Sequence, residues 1–393
     1  MVFLNTITNA RDKGLASTVK RVFSNIDWWL LGSALALSLF GLITMHALND
    51  ELKYFDRQVI WIPIALFVCV IASIIDWRFL RRTSVVMVIY SLVVGLLVLL
   101  FAIGSVSKGA QSWFSFGIFS FQPSDPAKLA LIILLAKYFA RRHIAIKNFS
   151  HIVVSGVYTG ILAVLVLIQP DFGATIILFG IWAGMLFVSG ISKRHILVVF
   201  LMSAVVFAML WGLVFKPYQK QRIITFLHPT SDIRGAGYNA FQSVIAVGSG
   251  QILGKGVGYG TQSKLKYLPE YQTDFIFAAF AEEWGLVGSV IFIGLFGMVL
   301  WRVGIHSYRA ATNFEALFSL GVCIFLFIHA GIHIGMNIGL LPVTGTPMPF
   351  ASYGGSHLLT EFAALGIVMS QATFSRATHR GKLNPDDSYV LAS

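Results

Sequence analysis

Asp274 lies in the stretch Leu268-Pro-Glu-Tyr-Gln-Thr-Asp-Phe-Ile-Phe277, where a long basic loop runs into an apolar helix. An ionisable group at the mouth of a membrane helix asks for a chemical reason, and a carboxylate there could take a proton from a hydroxyl of an anionic, lipid-borne substrate. Glu270, four residues earlier, is the alternative base or orients the loop, and Thr273 between them is a candidate substrate contact. Lys128 lies about one turn inside a helix that opens with Gln122-Pro-Ser-Asp-Pro126. A lysine deep in a bilayer costs about 2.5–3.5 kcal/mol on insertion scales. It either aims its cation into a cavity or snorkels in a pair with Asp125 or with Asp171 of Gln169-Pro-Asp171.

The segment from Gly339 to Gly355 carries three prolines and four glycines at membrane depth, which means a broken helix. Irregular backbone there must be buried in protein or line a wet cavity. Ser352 and Tyr353, at the start of the final helix, could point hydroxyls and amides at an anion; a plain re-entrant turn is the alternative. The glycines from Gly248 to Gly260 surround Lys255 but miss the phosphate-loop pattern, with Ser249 and Gly256 in the wrong places. They suit a tight loop on the membrane surface, whose amides could still hold a diphosphate. His329 and His333 share a helix face, as a metal site or proton relay would need, but no carboxylate in their span joins them. Helix-to-helix hydrogen bonding is the favoured reading of the pair.

The elements that must position these groups follow from composition. Of 393 residues, 56% are hydrophobic and 12% charged, and the mean hydropathy is +0.77, which makes an integral membrane protein. A helical span takes about 20 apolar residues, and ten such runs centre near residues 38, 67, 93, 131, 160, 182, 204, 288, 325 and 362. The runs lack period-two alternation, so helices are expected and a barrel is excluded. The expected architecture is an all-α polytopic bundle of ten spans over 28–373, with an outer loop at 216–273 that carries short amphipathic helices. The segments 1–27 and 374–393 flank it. The first run, Trp28 to Ala47, has no small-residue cleavage site after it and reads as a permanent span. With the N-terminus inside, 18 of the 29 Lys and Arg fall on cytoplasmic segments, so both termini are expected in the cytoplasm. The net charge of +12 does not suggest nucleic acid: on the inside it reads as topology, and the seven Lys and Arg of the outer loop need another explanation. Cys69 and Cys323 lie inside apolar runs and are expected to be free thiols.

Seven motifs together resemble the SEDS family of bacterial shape, elongation, division and sporulation proteins, over nearly the whole chain. They are Gly109-x-x-x-Trp113; Gln122-Pro-Ser124 with Lys128; Gln169-Pro-Asp-Phe-Gly173; Gln221-Arg-Ile-Ile-Thr-Phe-Leu227; Gly235-Ala-Gly-Tyr238; Leu268 to Phe277; and Leu341-Pro-Val-Thr-Gly345 through Ser352-Tyr-Gly-Gly355. The string Gly260 to Glu270 looks more like the RodA branch, which serves elongation, than the FtsW branch, which serves division. The resemblance implies a peptidoglycan glycosyltransferase that polymerises lipid II at the outer face of the cytoplasmic membrane. It implies a class B penicillin-binding protein and other elongation-complex proteins as partners. Asp274 would be the general base; Trp113, Gln122, Ser124, Lys128, Asp171, Arg222, Glu270, Thr273, Ser352 and Tyr353 would bind substrate. Cations would meet the departing diphosphate, from Arg222, Lys128 and a divalent ion such as Mg or Mn; no organic cofactor is implied. Glu282 and Glu283 lie too deep to meet a sugar at the surface. A lipid II flippase and a non-catalytic scaffold for the transpeptidase are the alternatives. Ser112 stands where the family often has arginine, with Lys108 as a replacement cation, and Asp125-Pro126 departs from the family's Gln-Pro-Ser-Glu.

Overall fold

The structure is a computed structural model that describes residues 26–48, 53–107, 110–116, 119–141, 149–213, 215–228 and 237–381. The expectations for residues up to 25, for Lys108, Gly109 and Gly235, and for the tail from 382 lie outside the described residues.

Apolar runs in a medium without hydrogen-bonding solvent must close their own amides, and they do so as helices. The first group is α1 (Trp28–Leu48), α2 (Lys53–Ile74) and α3 (Thr83–Ile103), with a short 3₁₀ turn at Trp77–Arg81. A small antiparallel sheet follows, with β1 (Ser105–Ser107), β2 (Ala110–Phe116) and β3 (Phe119–Phe121). In it Phe114 pairs with Phe121 and Ser115 with Ser120. Next come α4 (Ser124–Arg141), α5 (Phe149–Ile168), α6 (Phe172–Val188) and α7 (Lys193–Leu213). The outer loop holds α8 (Pro217–Leu227), α9 (Tyr238–Ser249) and α10 (Thr261–Lys264). The chain closes with α11 (Ile276–Tyr308), α12 (Asn313–Asn337) and α13 (Gly355–Gly381). The protein is therefore an all-α polytopic membrane protein with one small sheet that the sequence reading did not expect.

Among the described residues, seven helices are long and apolar enough to cross a membrane: α1, α2, α3, α5, α7, α11 and α12. The other three long helices, α4, α6 and α13, are shorter or more polar for a physical reason. Ala127 and Leu131 to Leu135 of α4 are all buried, because α4 packs against α3, α6 and α12. A helix enclosed by protein can carry polar side chains inward. α13 packs along α2, and α1 along α11. By contrast α3, α5 and α7 turn Val88, Leu92, Val157, Phe200 and Leu201 outward, as lipid-facing helices must.

One end of the bundle is tied by charge. Asp27, just before α1, accepts from Leu30 N–H at 3.2 Å and from Arg302 Nε at 2.8 Å, and its Oδ2 lies 2.8 Å from His306 Nε2. Burial works to raise the Asp27 carboxyl, but the bonds from His306 and Arg302 outweigh it and hold it well below the usual carboxylate range. Arg81 and Glu315 form a second tie at that end. Cys69 and Cys323 are free thiols.

Candidate active site

Asp274 is half-buried at the entry to α11, two residues before its first turn. Its N–H donates to the Glu270 carbonyl at 3.0 Å, closing a tight turn in which Glu270 has φ +56. Asn337, fully buried at the end of α12, fixes the other side of the residue. Its Nδ2 donates to the Asp274 carbonyl at 3.1 Å and its Oδ1 accepts from the Ala278 N–H at 3.1 Å. Those two backbone groups are four residues apart and would bond to each other in a continuous helix. The Asn337 amide stands between them, so α11 starts at Ile276 and Asp274 leaves the helical path.

The broken segment before α13 clamps the same turn. Ser352 Oγ donates to the Thr273 carbonyl at 2.6 Å and accepts from the Met348 N–H at 2.7 Å, while the Tyr353 N–H donates to the Gln272 carbonyl at 2.9 Å. Gln58 of α2 donates to the Ser352 carbonyl at 3.2 Å. The Ser352 hydroxyl and the Tyr353 amide are therefore each bonded within the protein. The chain's own carbonyls at Thr273 and Gln272 reach them first. Gly345, with φ +74, also comes close to the carboxylate: a Cβ there would lie 3.4 Å from Asp274 Oδ2.

A second polar group lies beneath, around the start of α4. Lys128 Nζ is 2.9 Å from Asp125 Oδ1, both side chains buried. Ser356 of α13 donates to Asp125 Oδ2 at 2.8 Å and lies 3.4 Å from the Gln122 N–H. Gln122 Nε2 donates to Asp171 Oδ2 at 2.8 Å, Ser124 Oγ lies 3.4 Å from the same oxygen, and Asp171 Oδ1 caps α6 through the Ala174 N–H at 2.9 Å. Burial pushes the Asp171 carboxyl above its ordinary value, against the Ala174 N–H and Lys128, which favour the anion. Gln122, Ser124, Lys128 and Asp171 thus come together as the sequence suggested. Lys128, however, spends its charge on Asp125 and is not an open cation aimed into a cavity. Pro126 sits in the first turn of α4, where its missing N–H costs nothing, and Ser112 donates to the Gln169 carbonyl at 2.9 Å. Trp113 lies on β2, where its carbonyl accepts from Ser105 Oγ. Arg222 is half-exposed on α8, with no ion pair among the described residues.

The glycine-rich part of the outer loop is not a phosphate cradle. α11 is interrupted at Gly285 (φ 65, ψ −162), and the loop's backbone fills the break. Lys255 N–H donates to the Glu282 carbonyl and Gly256 N–H to the Glu283 carbonyl, each at 3.0 Å, and Gly258 N–H donates to Glu283 Oε1 at 2.6 Å. A Cβ on Gly250 would lie 2.0 Å from the Ala281 carbonyl oxygen, and one on Gly254 2.1 Å from that of Glu283. These glycines let backbone meet backbone, which leaves the amides of Lys255, Gly256 and Gly258 already bonded. Glu282, fully buried, accepts from Lys255 Nζ at 2.7 Å, Gln262 N–H at 3.0 Å and Thr261 Oγ1 at 3.2 Å. Glu282 and Glu283 therefore fasten the loop to the helix that starts beside Asp274.

A model of the cell cycle protein family FtsW, RodA and SpoVE matches residues 21–377. The chain belongs to this family. It is 38% identical over 347 residues to the peptidoglycan glycosyltransferase MrdB of Escherichia coli K12, covering 88% of this chain and 93% of that one. Its fold is similar to a chain of a peptidoglycan synthase complex solved for the coordination of polymerization and crosslinking, with a TM-score of 0.76, 28% identity and coverage of 89% and 98%. It is similar also to the rod shape determining protein RodA of Thermus thermophilus, with a TM-score of 0.67, 26% identity and coverage of 89% and 97%.

In this FtsW/RodA/SpoVE protein, Asn337 is the positioning residue that sequence reasoning missed. Its only signal is an amide at the tail of an apolar run, one turn after His333. The two histidines part ways on the expected hydrogen bonding. His333 Nδ1 donates to the Thr346 carbonyl at 2.7 Å, but neither ring nitrogen of the buried His329 has a hydrogen-bond partner. A carboxylate joins from the next helix: His329 of α12 with His357 and Glu361 of α13 is the one group among the described residues able to hold a metal ion. Asp274 is not part of that group.

Proposed function

We infer that the chain polymerises lipid II into glycan strands, with Asp274 as the general base. The carrying observation is a half-buried carboxylate whose backbone is gripped from two sides, by Asn337 and by Ser352 through Thr273. Holding a base in register with a reacting oxygen is where enzymes gain most from rigidity. Asp274 takes the proton of the acceptor sugar hydroxyl as that oxygen bonds to the donor's anomeric carbon. The bond from that carbon to the lipid diphosphate breaks on the opposite face, and the diphosphate leaves with the electron pair. By analogy with inverting glycosidases, one carboxylate on the attacking face is required. Arg222 is the cation this reading assigns to the leaving diphosphate, since Lys128 is paired; a Mg or Mn ion would arrive with the diphosphate.

The name of the Escherichia coli relative supports the reaction, and the synthase complex among the similar structures supports a crosslinking partner, a class B penicillin-binding protein. The basic-residue bias supports the cytoplasmic membrane, with both termini inside and Asp274 outside. The test is polymerisation of labelled lipid II by the purified protein with its transpeptidase partner and a divalent cation. Wild type should give ladders, and a well-folded Asp274→Asn none. Polymer from both would remove Asp274 as the base; polymer from neither, with lipid II crossing vesicles, would favour a flippase.

A further inference from the structure

Behind the catalytic turn, α12 and α13 enclose a set of donors that the glycosyl-transfer reading does not use. His329, His357 and Glu361 each offer one ligand atom, and these atoms lie within 4.8 Å of one another. All three side chains are buried, His329 and Glu361 completely. Both nitrogens of His329 lack a hydrogen-bond partner, although buried polar groups are nearly always satisfied. Its ring stands edge-on to His357 with centroids 4.8 Å apart. His357 Nε2 and Glu361 Oε1 approach to 3.0 Å without hydrogen-bond geometry, so both atoms also remain unsatisfied.

The charges make the same point. Asp125 is balanced by Lys128 at 2.9 Å, with His357 Nδ1 3.7 Å from the same oxygen. Glu361 is left with the Phe350 N–H at 2.8 Å and the misaligned His357. A carboxylate that stays ionised when buried is costly without a positive partner. Imidazolium His357 could be that partner, but it would leave His329 unexplained. One divalent cation answers both.

We propose that His329, His357 and Glu361 form a buried three-ligand site for a divalent first-row transition cation of the zinc class. Two imidazoles and a carboxylate suit zinc, and suit magnesium or calcium poorly. The site ties α12 to α13. Through Glu361 Oε2 it also holds the Phe350 N–H, at a residue with φ +64, in the segment that clamps Asp274. His333, one turn along α12, has its tautomer fixed by the Thr346 carbonyl and keeps a second buried ring nitrogen without a partner. This site does not depend on the polymerase reading.

The full chain in nanodiscs, stripped with chelator and then given Co²⁺ or Zn²⁺ alone, tests it without reference to activity. The expected result is one cation per chain, a visible cobalt d–d band, X-ray absorption showing imidazole scattering, and a raised melting temperature. His329→Gln and Glu361→Gln should each lose the band and the thermal shift, whereas His46→Gln, at the exposed end of α1, should keep both. Wild type needs no variant to decide the matter. If it takes up no cation, binds one without imidazole scattering, or binds equally after His329→Gln, the site is a hydrogen-bonded cluster and the proposal falls.

Discussion

Replacing Asn337 by alanine should separate activity from stability. The amide makes three good hydrogen bonds, to the Asp274 carbonyl, the Ala278 N–H and the His333 carbonyl at 2.7 Å. A buried hydrogen bond is worth about 0.5–1.5 kcal/mol net, and an orphaned group costs about 1–3 kcal/mol. Here the orphans can rescue each other, because Ala278 N–H and Asp274 C=O are an i, i+4 pair that closes once the amide is gone. The His333 carbonyl is in helix and keeps its own donor. The net loss is then about 2–3 kcal/mol, small against the 5–15 kcal/mol of a typical folded domain. Closing that bond, however, adds a turn to α11 and swings Asp274 with it. Misplacing a catalytic group by about an ångström costs on the order of 100-fold in rate, and a general base as a whole is worth about 10²–10⁴-fold. The assay is polymerisation of labelled lipid II beside a thermal melt of the same preparation. A drop of about 100-fold or more is expected with a modest fall in melting temperature. If folded Asn337→Ala polymerises within a few fold of wild type, the amide does not set the position of Asp274.

Two further outcomes follow from buried charge. Glu282→Ala strands the Gln262 N–H and removes the partner of Lys255, so it should destabilise the loop toward the lower end of about 3–5 kcal/mol, since Lys255 reaches water. Limited proteolysis between 250 and 263 should accelerate; unchanged protection would show that the loop is held by its backbone alone. For Asp27, whose carboxyl is held below its ordinary value, the sign is that of a carboxylate paired on folding. Its stabilisation is fully present above the ordinary value of about 3.9 and is lost as pH falls through the depressed one. The melting difference between wild type and Asp27→Asn should be constant near neutrality and shrink in acid. A difference that grows in acid refutes the pairing with Arg302 and His306.

The helices were legible because a bilayer leaves apolar runs one way to satisfy their amides, and each expected centre from 38 to 362 falls within a helix. What a group touches was less legible. The glycines around Lys255 read as a tight surface loop with amides to spare, because sequence shows their missing side chains and not the carbonyls of Ala281 and Glu283 that approach them. Ser352 looked free because the Thr273 carbonyl comes from a distant segment. The sheet did leave a mark that went unread: Phe114-Ser-Phe116 and Phe119-Ser-Phe121 alternate with period two. His329 has no carboxylate beside it in its own span, whereas His357 and Glu361 lie one turn apart in the next.

The latch between the outer loop and the break in α11 has a consequence at the surface. Leu286 and Val287 donate to the carbonyls of Gln251 and Ile252, so the backbone at the loop's tip is fixed. Yet the side chains of Ile252 and Leu253 stand 65% and 80% exposed. Ordering a free backbone costs about 1–2 kcal/mol per residue, and a flexible loop bears that cost each time it binds. Here folding has already met it, so whatever apolar surface covers this knuckle gains the full free energy of burial from a preorganised contact.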